Sequence, residues 1–390
     1  MEAYLDNAAT TRVNESVKNI MVKALIEDYG NPSSLHMKGL EAERYIRNAR
    51  EIIAKQLKVE EKEIIFTSGG TESNNLAIIG SALSNKRAGN HIIASSTEHP
   101  SVYNAMGYLK ELGFDISYTP VDSYGRIDIE ELEKLINENT ILVSIMYVNN
   151  EIGSVNDINQ IAKVIKEKNP STLFHVDGIQ AIGKYEIYPK RQGIDLLSIS
   201  GHKIHGPKGV GALYVRDRVK VSPLLYGGGQ ESKMRSGTEN VPGIAGLGQA
   251  ISDIYENHTE KIETMYRLKQ EFIDGINKLN ETIGDVYVNG LVDDLRETAP
   301  HIVSVSFKGV LAEVLLHALE DKGIYVSSGS ACSSNQPGIS GTLKAIGLGQ
   351  DLLSSTIRFS FSVNTSFEEI KYTLEELEKI VPILRRYQPH

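Results

Sequence analysis

Seven short apolar, β-branched runs alternate with longer amphipathic stretches between residues 63 and 215 of this chain. They fall at 63–66, 91–94, 115–118, 141–147, 173–176, 196–200 and 211–215, with helical patterns between them such as 104–112 and 158–168. Strands separated by helix-length connections point to a largely parallel sheet covered by helices. From 244 to 279 the pattern reads as one long helix rich in Glu, Lys and Ile. A second set follows, with strands expected at 286–288, 301–307 and 357–361 and helices near 311–321 and 367–384. The expectation is an α/β protein of two domains. A large α/β domain spans 14–258, and a smaller α+β domain combines 1–13 with 259–390.

Two of the expected strands end in chemically useful groups. The run 173–176 is followed at once by Asp177, with Gln180 three residues later. The run 196–200 leads into Ser200-Gly201-His202-Lys203. Adjacent strand ends would offer a carboxylate and an amine to one site. Pyridoxal phosphate requires that pair: a lysine for the Schiff base and an acid that keeps the pyridine nitrogen protonated.

Four further constellations bear on this reading. Phe66-Thr67-Ser68-Gly69-Gly70-Thr71-Glu72 reads as strand, glycine turn and helix start, a phosphate site if backbone N–H groups face an anion. A capping turn with Thr71 or Ser73 as N-cap is the simpler alternative. His99, after the run 91–94, can stack on a flat ring and exchange protons near neutral pH. Asn150, in Tyr147-Val148-Asn149-Asn150-Glu151, offers an amide at another strand end, although Asn-Asn also favours a turn by itself. Cys332 stands in Ser327-Ser328-Gly329-Ser330-Ala331-Cys332-Ser333-Ser334, small polar residues that pack poorly. A lone thiol in such a loop suits nucleophilic or sulfur-carrying chemistry. A tolerated free cysteine is the common alternative.

Bulk properties exclude more than they assign. Fifty acidic against 41 basic residues give a net charge of −9, so no nucleic-acid partner is expected. The apolar stretch 141–148 is far too short to cross a bilayer, and the first residues lack a basic, apolar leader. With one cysteine there is no intramolecular disulfide, and the cytoplasm is the expected compartment. Gly178-Ile179-Gln180-Ala181-Ile182-Gly183-Lys184 matches a nucleotide P-loop until Tyr185 replaces the magnesium-binding hydroxyl. His202 and His205 lack a third ligand nearby, so no metal is expected.

The ordered set of motifs resembles the cysteine desulfurases of the NifS/IscS-like group. It comprises Tyr4-Leu5-Asp6-Asn7-Ala8-Ala9-Thr10-Thr11 and segments 30–34, 67–75, 97–99, 148–153, 176–180, 200–209, 235–240, 327–334 and 355–360. The resemblance implies a fold-type-I, pyridoxal-phosphate-dependent homodimer that converts L-cysteine to L-alanine and leaves the sulfur on Cys332 as a persulfide. By the same resemblance Lys203 would bind the cofactor and act as base, Asp177 would pair with the ring nitrogen and Gln180 would reach the ring oxygen. His99 would stack on the ring and shuttle protons. Gly70, Thr71, Ser200 and His202 would hold the phosphate, with Thr238 reaching in from the neighbouring subunit. Asn150 and Arg358 would bind the substrate carboxylate. The serine-rich segment, about 325–340, is similar to the branch with a long cysteine loop. A sulfur acceptor or iron–sulfur scaffold protein is the implied partner.

Two departures stand out. Gly70 stands where many of that group have alanine, and Ser232 where many have arginine. A selenocysteine lyase, a pyridoxal phosphate aminotransferase and a non-catalytic sulfur-transfer partner share much of this pattern. An aminotransferase has no need of Cys332, and a non-catalytic partner has no need of Lys203.

Overall fold

A computed structural model describes residues 1–290, 294–328 and 340–387. The expected strands form one seven-stranded sheet: β1 (Ile64–Thr67), β2 (His91–Ser95), β3 (Asp115–Thr119), β4 (Thr140–Met146), β5 (Leu173–Asp177), β6 (Leu196–Ser200) and β7 (Gly211–Val215). Their spatial order is β1-β7-β6-β5-β4-β2-β3. The pairs from β6 through β5, β4 and β2 to β3 are parallel. Only β7 runs against its neighbours β1 and β6. The reason is length: residues 201–210 are too few for the helical crossover that a parallel pair needs.

Side chains of this sheet alternate between two apolar layers, the period-two signature of a strand buried on both faces. Val143, Ile145, Phe174, Val176, Leu197 and Ile199 join a core with the helices Met37–Leu57, Ile158–Lys168 and Val241–Tyr255. Ile92, Ala94, Leu142, Leu196 and Leu213 face the other way, against the helix Pro100–Glu111 and the helical run that starts at Gly70. A carboxylate or amine placed at a strand end here is held by a sheet locked from both sides.

The single long helix expected over 244–279 is two helices, Val241–Tyr255 and His258–Ile283. Asn257 between them has φ +50°, a left-handed conformation that asparagine tolerates better than most residues. Helical periodicity continues across the break, so the pattern hid it. The helix expected from 104 starts earlier, at Pro100, with proline in the first turn and His99 as N-cap.

A second, antiparallel sheet has the order β10-β11-β9-β8, formed by β8 (Val286–Asn289), β9 (Ile302–Phe307), β10 (Ser327–Ser328) and β11 (Thr356–Ser360). Its core includes Phe272, Ile276, Phe307, Phe359, Ile370 and Leu377, contributed by the sheet and the helices His258–Ile283 and Phe367–Arg385. Ala3 and Leu5 belong to this core, because Ala3–Tyr4 pairs in parallel with Ile324–Tyr325. Among the described residues no helix is long and apolar enough to cross a membrane.

Candidate active site

The C-terminal ends of β1, β2, β4, β5 and β6 lie along one edge of the large sheet, where open α/β sheets bind ligands. A cavity of about 330 Å³ opens there. Gly70, Thr71, His99, Asn150, Asp177, Gln180, Ser200, His202, Lys203 and Arg358 all line it. Thr238 is exposed on a loop and is not among the lining residues. Cys332 and its segment lie outside the described residues.

Asp177 closes β5 and is buried. Its Oδ1 accepts the Ile179 N–H at 3.0 Å, and its Oδ2 accepts from Asn74 Nδ2 at 2.8 Å. Lys203 sits in the tight turn Gly201–Lys203 that follows β6. Its Nζ donates to the carbonyls of Ala8 at 2.5 Å and Ala9 at 2.7 Å. A carboxylate and an amine thus reach the same cavity from neighbouring parallel strands.

At one end of the cavity lie Gly70, Thr71, Ser200 and His202. The helix there is not capped by Thr71 or Ser73. Its N-cap is Gly69, at φ +149°, with no side-chain cap hydrogen bond. Only glycine adopts that backbone without strain. The Ser200 hydroxyl is buried and has no hydrogen-bond partner. His202 Nδ1 is 3.2 Å from the Thr10 hydroxyl. Burial, aided by the Lys203 and Lys208 cations, lowers the His202 pKa to about 4.

His99 projects from the turn after β2, with Nδ1 accepting the Ser101 N–H at 3.1 Å. Burial lowers its pKa; the Asp177 carboxylate opposes that shift and Lys203 reinforces it. Beside it, burial and the nearby Asp177 charge raise Glu98 well above the usual carboxylate range. At the opposite end Arg358, on β11, donates through Nη1 to the Asn150 carbonyl at 2.8 Å and through Nη2 to Asp6 Oδ1 at 3.0 Å. Its Nε is buried without a partner. Gln180 donates to the Ala8 carbonyl at 2.9 Å, and His301 Nε2 lies 3.1 Å from Gln180 Oε1.

Residues 3–373 match the family described as aminotransferase class-V. The chain belongs to that family. It is 44% identical over 389 residues to the cysteine desulfurase IscS of Dictyoglomus turgidum, covering 100% of this chain and 97% of that one. Against the cysteine desulfurase IscS of Methanosarcina thermophila it is 42% identical over 386 residues, covering 99% and 93%. A solved structure described as a NifS-like protein superposes with a TM-score of 0.92 at 38% identity, covering 98% of this chain and 100% of the other. The structure of SspA in complex with cysteine matches at a TM-score of 0.78 and 34% identity, covering 93% and 100%. The resemblance to NifS/IscS-like cysteine desulfurases holds, and this class-V aminotransferase is a pyridoxal phosphate enzyme of fold type I.

The residues present fit that cofactor. The buried Asp177 carboxylate suits a protonated ring nitrogen, and the orphaned Ser200 hydroxyl beside Thr71 and His202 suits a phosphate. Sequence reading missed Asn74, which orients Asp177, and Asp6, the counter-ion of Arg358. Both fall inside motifs that carried the family resemblance. Among the described residues no group of three or more His, Cys, Asp or Glu is placed to hold a metal ion.

Proposed function

We propose that the protein is a cysteine desulfurase. The observation that carries the reading is the convergence of the Asp177 carboxylate and the Lys203 amine on one cavity that Arg358 flanks. When bound, pyridoxal phosphate supplies an electron sink for the substrate's α-carbon. Lys203 would hold the cofactor and move the α-proton, Asp177 would keep the ring nitrogen charged, and Gln180 would hold the ring oxygen. His99 would stack on the ring. Gly70, Thr71, Ser200 and His202 hold the phosphate, and Arg358 with Asn150 holds the substrate carboxylate; a guanidinium suits bidentate contact.

Cys332 then accepts the sulfur. Its Sγ bonds the substrate sulfur, the carbon–sulfur bond breaks, and a proton takes the vacated place on carbon. L-cysteine and one thiol become L-alanine and one persulfide, with no external oxidant or reductant. The persulfide passes to an acceptor protein, such as an iron–sulfur scaffold.

A homodimer belongs to the same reading. Val22, Leu25, Ile26, Tyr29, Leu35 and Met37 are exposed within one short stretch, and Leu35 is 98% exposed. Exposed large apolar side chains gathered in one stretch of chain support an interaction surface. In a dimer, the exposed Thr238 serves the neighbouring site. The division into domains 14–258 and 1–13 with 259–390 is supported by the second sheet's core, which draws on Ala3, Leu5 and residues from Leu268 to Val381 and on none from 14–258. The cytoplasm remains the proposed compartment.

The test is sulfide and L-alanine release from L-cysteine by the pyridoxal-phosphate-loaded protein with a thiol reductant. Equal yields are expected, and Cys332→Ser should abolish sulfide while the yellow cofactor still responds to L-cysteine. Sulfide release that survives Cys332→Ser refutes the persulfide route.

A further inference from the structure

Gln180 follows β5, yet its side chain is held from outside the sheet that carries it. Its Nε2 donates to the Ala8 carbonyl at 2.9 Å, and its Oε1 lies 3.1 Å from His301 Nε2. His301 stands directly before β9 in the second sheet, where its own carbonyl accepts the Phe361 N–H at 2.9 Å. The histidine is buried and is not among the residues that line the cavity.

The donors and acceptors in this row leave one arrangement. A backbone carbonyl only accepts, so the Gln180 amide must turn its nitrogen toward Ala8 and its oxygen toward His301. An amide oxygen also only accepts, so His301 must carry its proton on Nε2. Among the described residues His301 Nδ1 has no partner, so nothing there draws the proton away. A charged ring is opposed first by burial and then by Lys184, Lys269, Arg358 and Lys203. Lys184, at the place of a P-loop's phosphate-binding lysine, instead donates to the Lys203 carbonyl at 2.9 Å. Lys269 is tied to the Thr298 hydroxyl and the Ala299 carbonyl, each at 2.7 Å. His301 is therefore a neutral donor of fixed tautomer.

The same row reaches the lysine of the site. The Ala8 carbonyl that accepts Gln180 Nε2 also accepts Lys203 Nζ. An amide nitrogen carries two hydrogens, and Ala8 takes one of them. Turning the amide over would set oxygen against oxygen at Ala8 and leave Gln180 an acceptor where it had been a donor.

We propose that His301 is a positioning residue for the cofactor: by donating to Gln180 Oε1 it locks the amide so that the second Nε2 hydrogen meets the ring oxygen. This inference rests on the desulfurase reading above, in which Gln180 reaches that oxygen. It adds the group that decides which end of the amide arrives. A donor at the ring oxygen favours its ionised form, so loss of the lock should raise the pH at which the bound cofactor changes colour.

The test compares two amides at position 301 in the full-length, pyridoxal-phosphate-loaded protein. His301→Gln can place an N–H where the imidazole Nε2 stands, whereas His301→Asn is one carbon shorter and ends near Nδ1. The cofactor's absorbance is titrated over about pH 6–10 in each. The midpoint should rise by about one pH unit in His301→Asn, in keeping with one lost hydrogen bond to a charged group. It should stay close to wild type in His301→Gln. Gln180→Met should show at least the same rise, and His301→Asn added to it should bring no further change.

A wild-type midpoint in His301→Asn overturns the proposal. So do equal shifts in the Asn and Gln variants, which would mean that packing alone is at work. Should His301→Asn not fold, wild-type protein without cofactor decides by NMR of isotope-labelled histidine. The His301 signal, identified by its loss in His301→Gln, should report the Nε2–H tautomer and not titrate between about pH 6 and 8. A proton on Nδ1 there overturns the proposal. Wild-type protein that binds the cofactor but releases no sulfide refutes the desulfurase reading alone, because the midpoints still test His301.

Discussion

The two ends of the cavity are built in opposite ways. The cofactor end is made of strand ends and turns of the large sheet, which two apolar layers clamp from both faces. The substrate end is made where β11 meets the first residues of the chain and the turn after β4. The first is rigid because its scaffold is a continuous core. The second depends on a few polar bonds: Asp6 to Arg358, Asn150 to Arg358, and two serines to carboxylates. The segments that carry Asp6 and Arg358 share the second sheet's core through Leu5, Ile357 and Phe359, but the polar bonds themselves lie at its edge, so changes to those polar groups should alter binding more than folding.

The largest effect tests the cofactor end. Lys203→Ala should lose the borohydride-reducible link to the cofactor and lower turnover by about 10²–10⁴-fold, the usual worth of a positioned acid–base group. A reducible link that persists in this variant would mean another amine holds the cofactor. At the substrate end, Arg358→Ala should leave the cofactor spectrum intact and raise KM for L-cysteine, by about 1.5–3 kcal/mol of lost charged hydrogen bonding. Steady-state kinetics would show this as a KM effect. If the spectrum changed as much as KM, the two ends would not be separable.

Acid should loosen the large sheet. Burial holds His175 neutral between Ser144 and Ser198, lowering its pKa from 6.5 to about 3. The unfolded chain therefore binds a proton that the folded chain refuses. The stability His175 contributes is complete above about pH 6.5 and declines as pH falls toward 3, by at most about 1.4 kcal/mol per pH unit. Urea midpoints from pH 7 to pH 5 should fall, and His175→Gln should flatten the slope. An unchanged slope in that variant would shift the acid sensitivity to other groups, such as the buried His301.

The smallest effect concerns Gly70. A Cβ there would lie 2.2 Å from Ile179 Cδ1, so Ile179 occupies the space an alanine would take. Gly70→Ala should cost about 1 kcal/mol, because a flexible side-chain end can turn aside. Ile179→Val should recover that loss in the double variant, by thermal denaturation. Additive losses would show that the backbone, not Ile179, sets the limit.

Much of the cofactor end was legible in the sequence because its chemistry follows local rules. An apolar run that ends in Asp177, and another that delivers Lys203, place both groups on one sheet edge once the strands are parallel. The reversed direction of β7 was not read, although the short 201–210 connection carried the signal. The break at Asn257 escaped because helical periodicity resumes after it. Asp6, Glu151 and Ser327 fall inside motifs that carried the resemblance, but their pairings, like that of Ser340, left no local trace, since the partners lie far away in sequence. Ser340 and Glu151, for example, are separated by 189 positions. Ser232 has φ +56° between Glu231 and Lys233, both also left-handed, and nothing in the structure explains a serine there.

The pairing of the first residues with the second sheet also sets an order of events in synthesis. Asn74 and Asp177 are 103 positions apart, whereas Asp6 and Arg358 are 352 apart. A chain emerging from the ribosome can assemble the large sheet, and with it the cofactor end, while residue 358 is still unmade. Residues 3–6 must wait unpaired until strands near 324 and 360 arrive, and contacts across so long a loop form late. An interrupted chain could therefore present a carboxylate and an amine to the cofactor while having no arginine to receive a substrate.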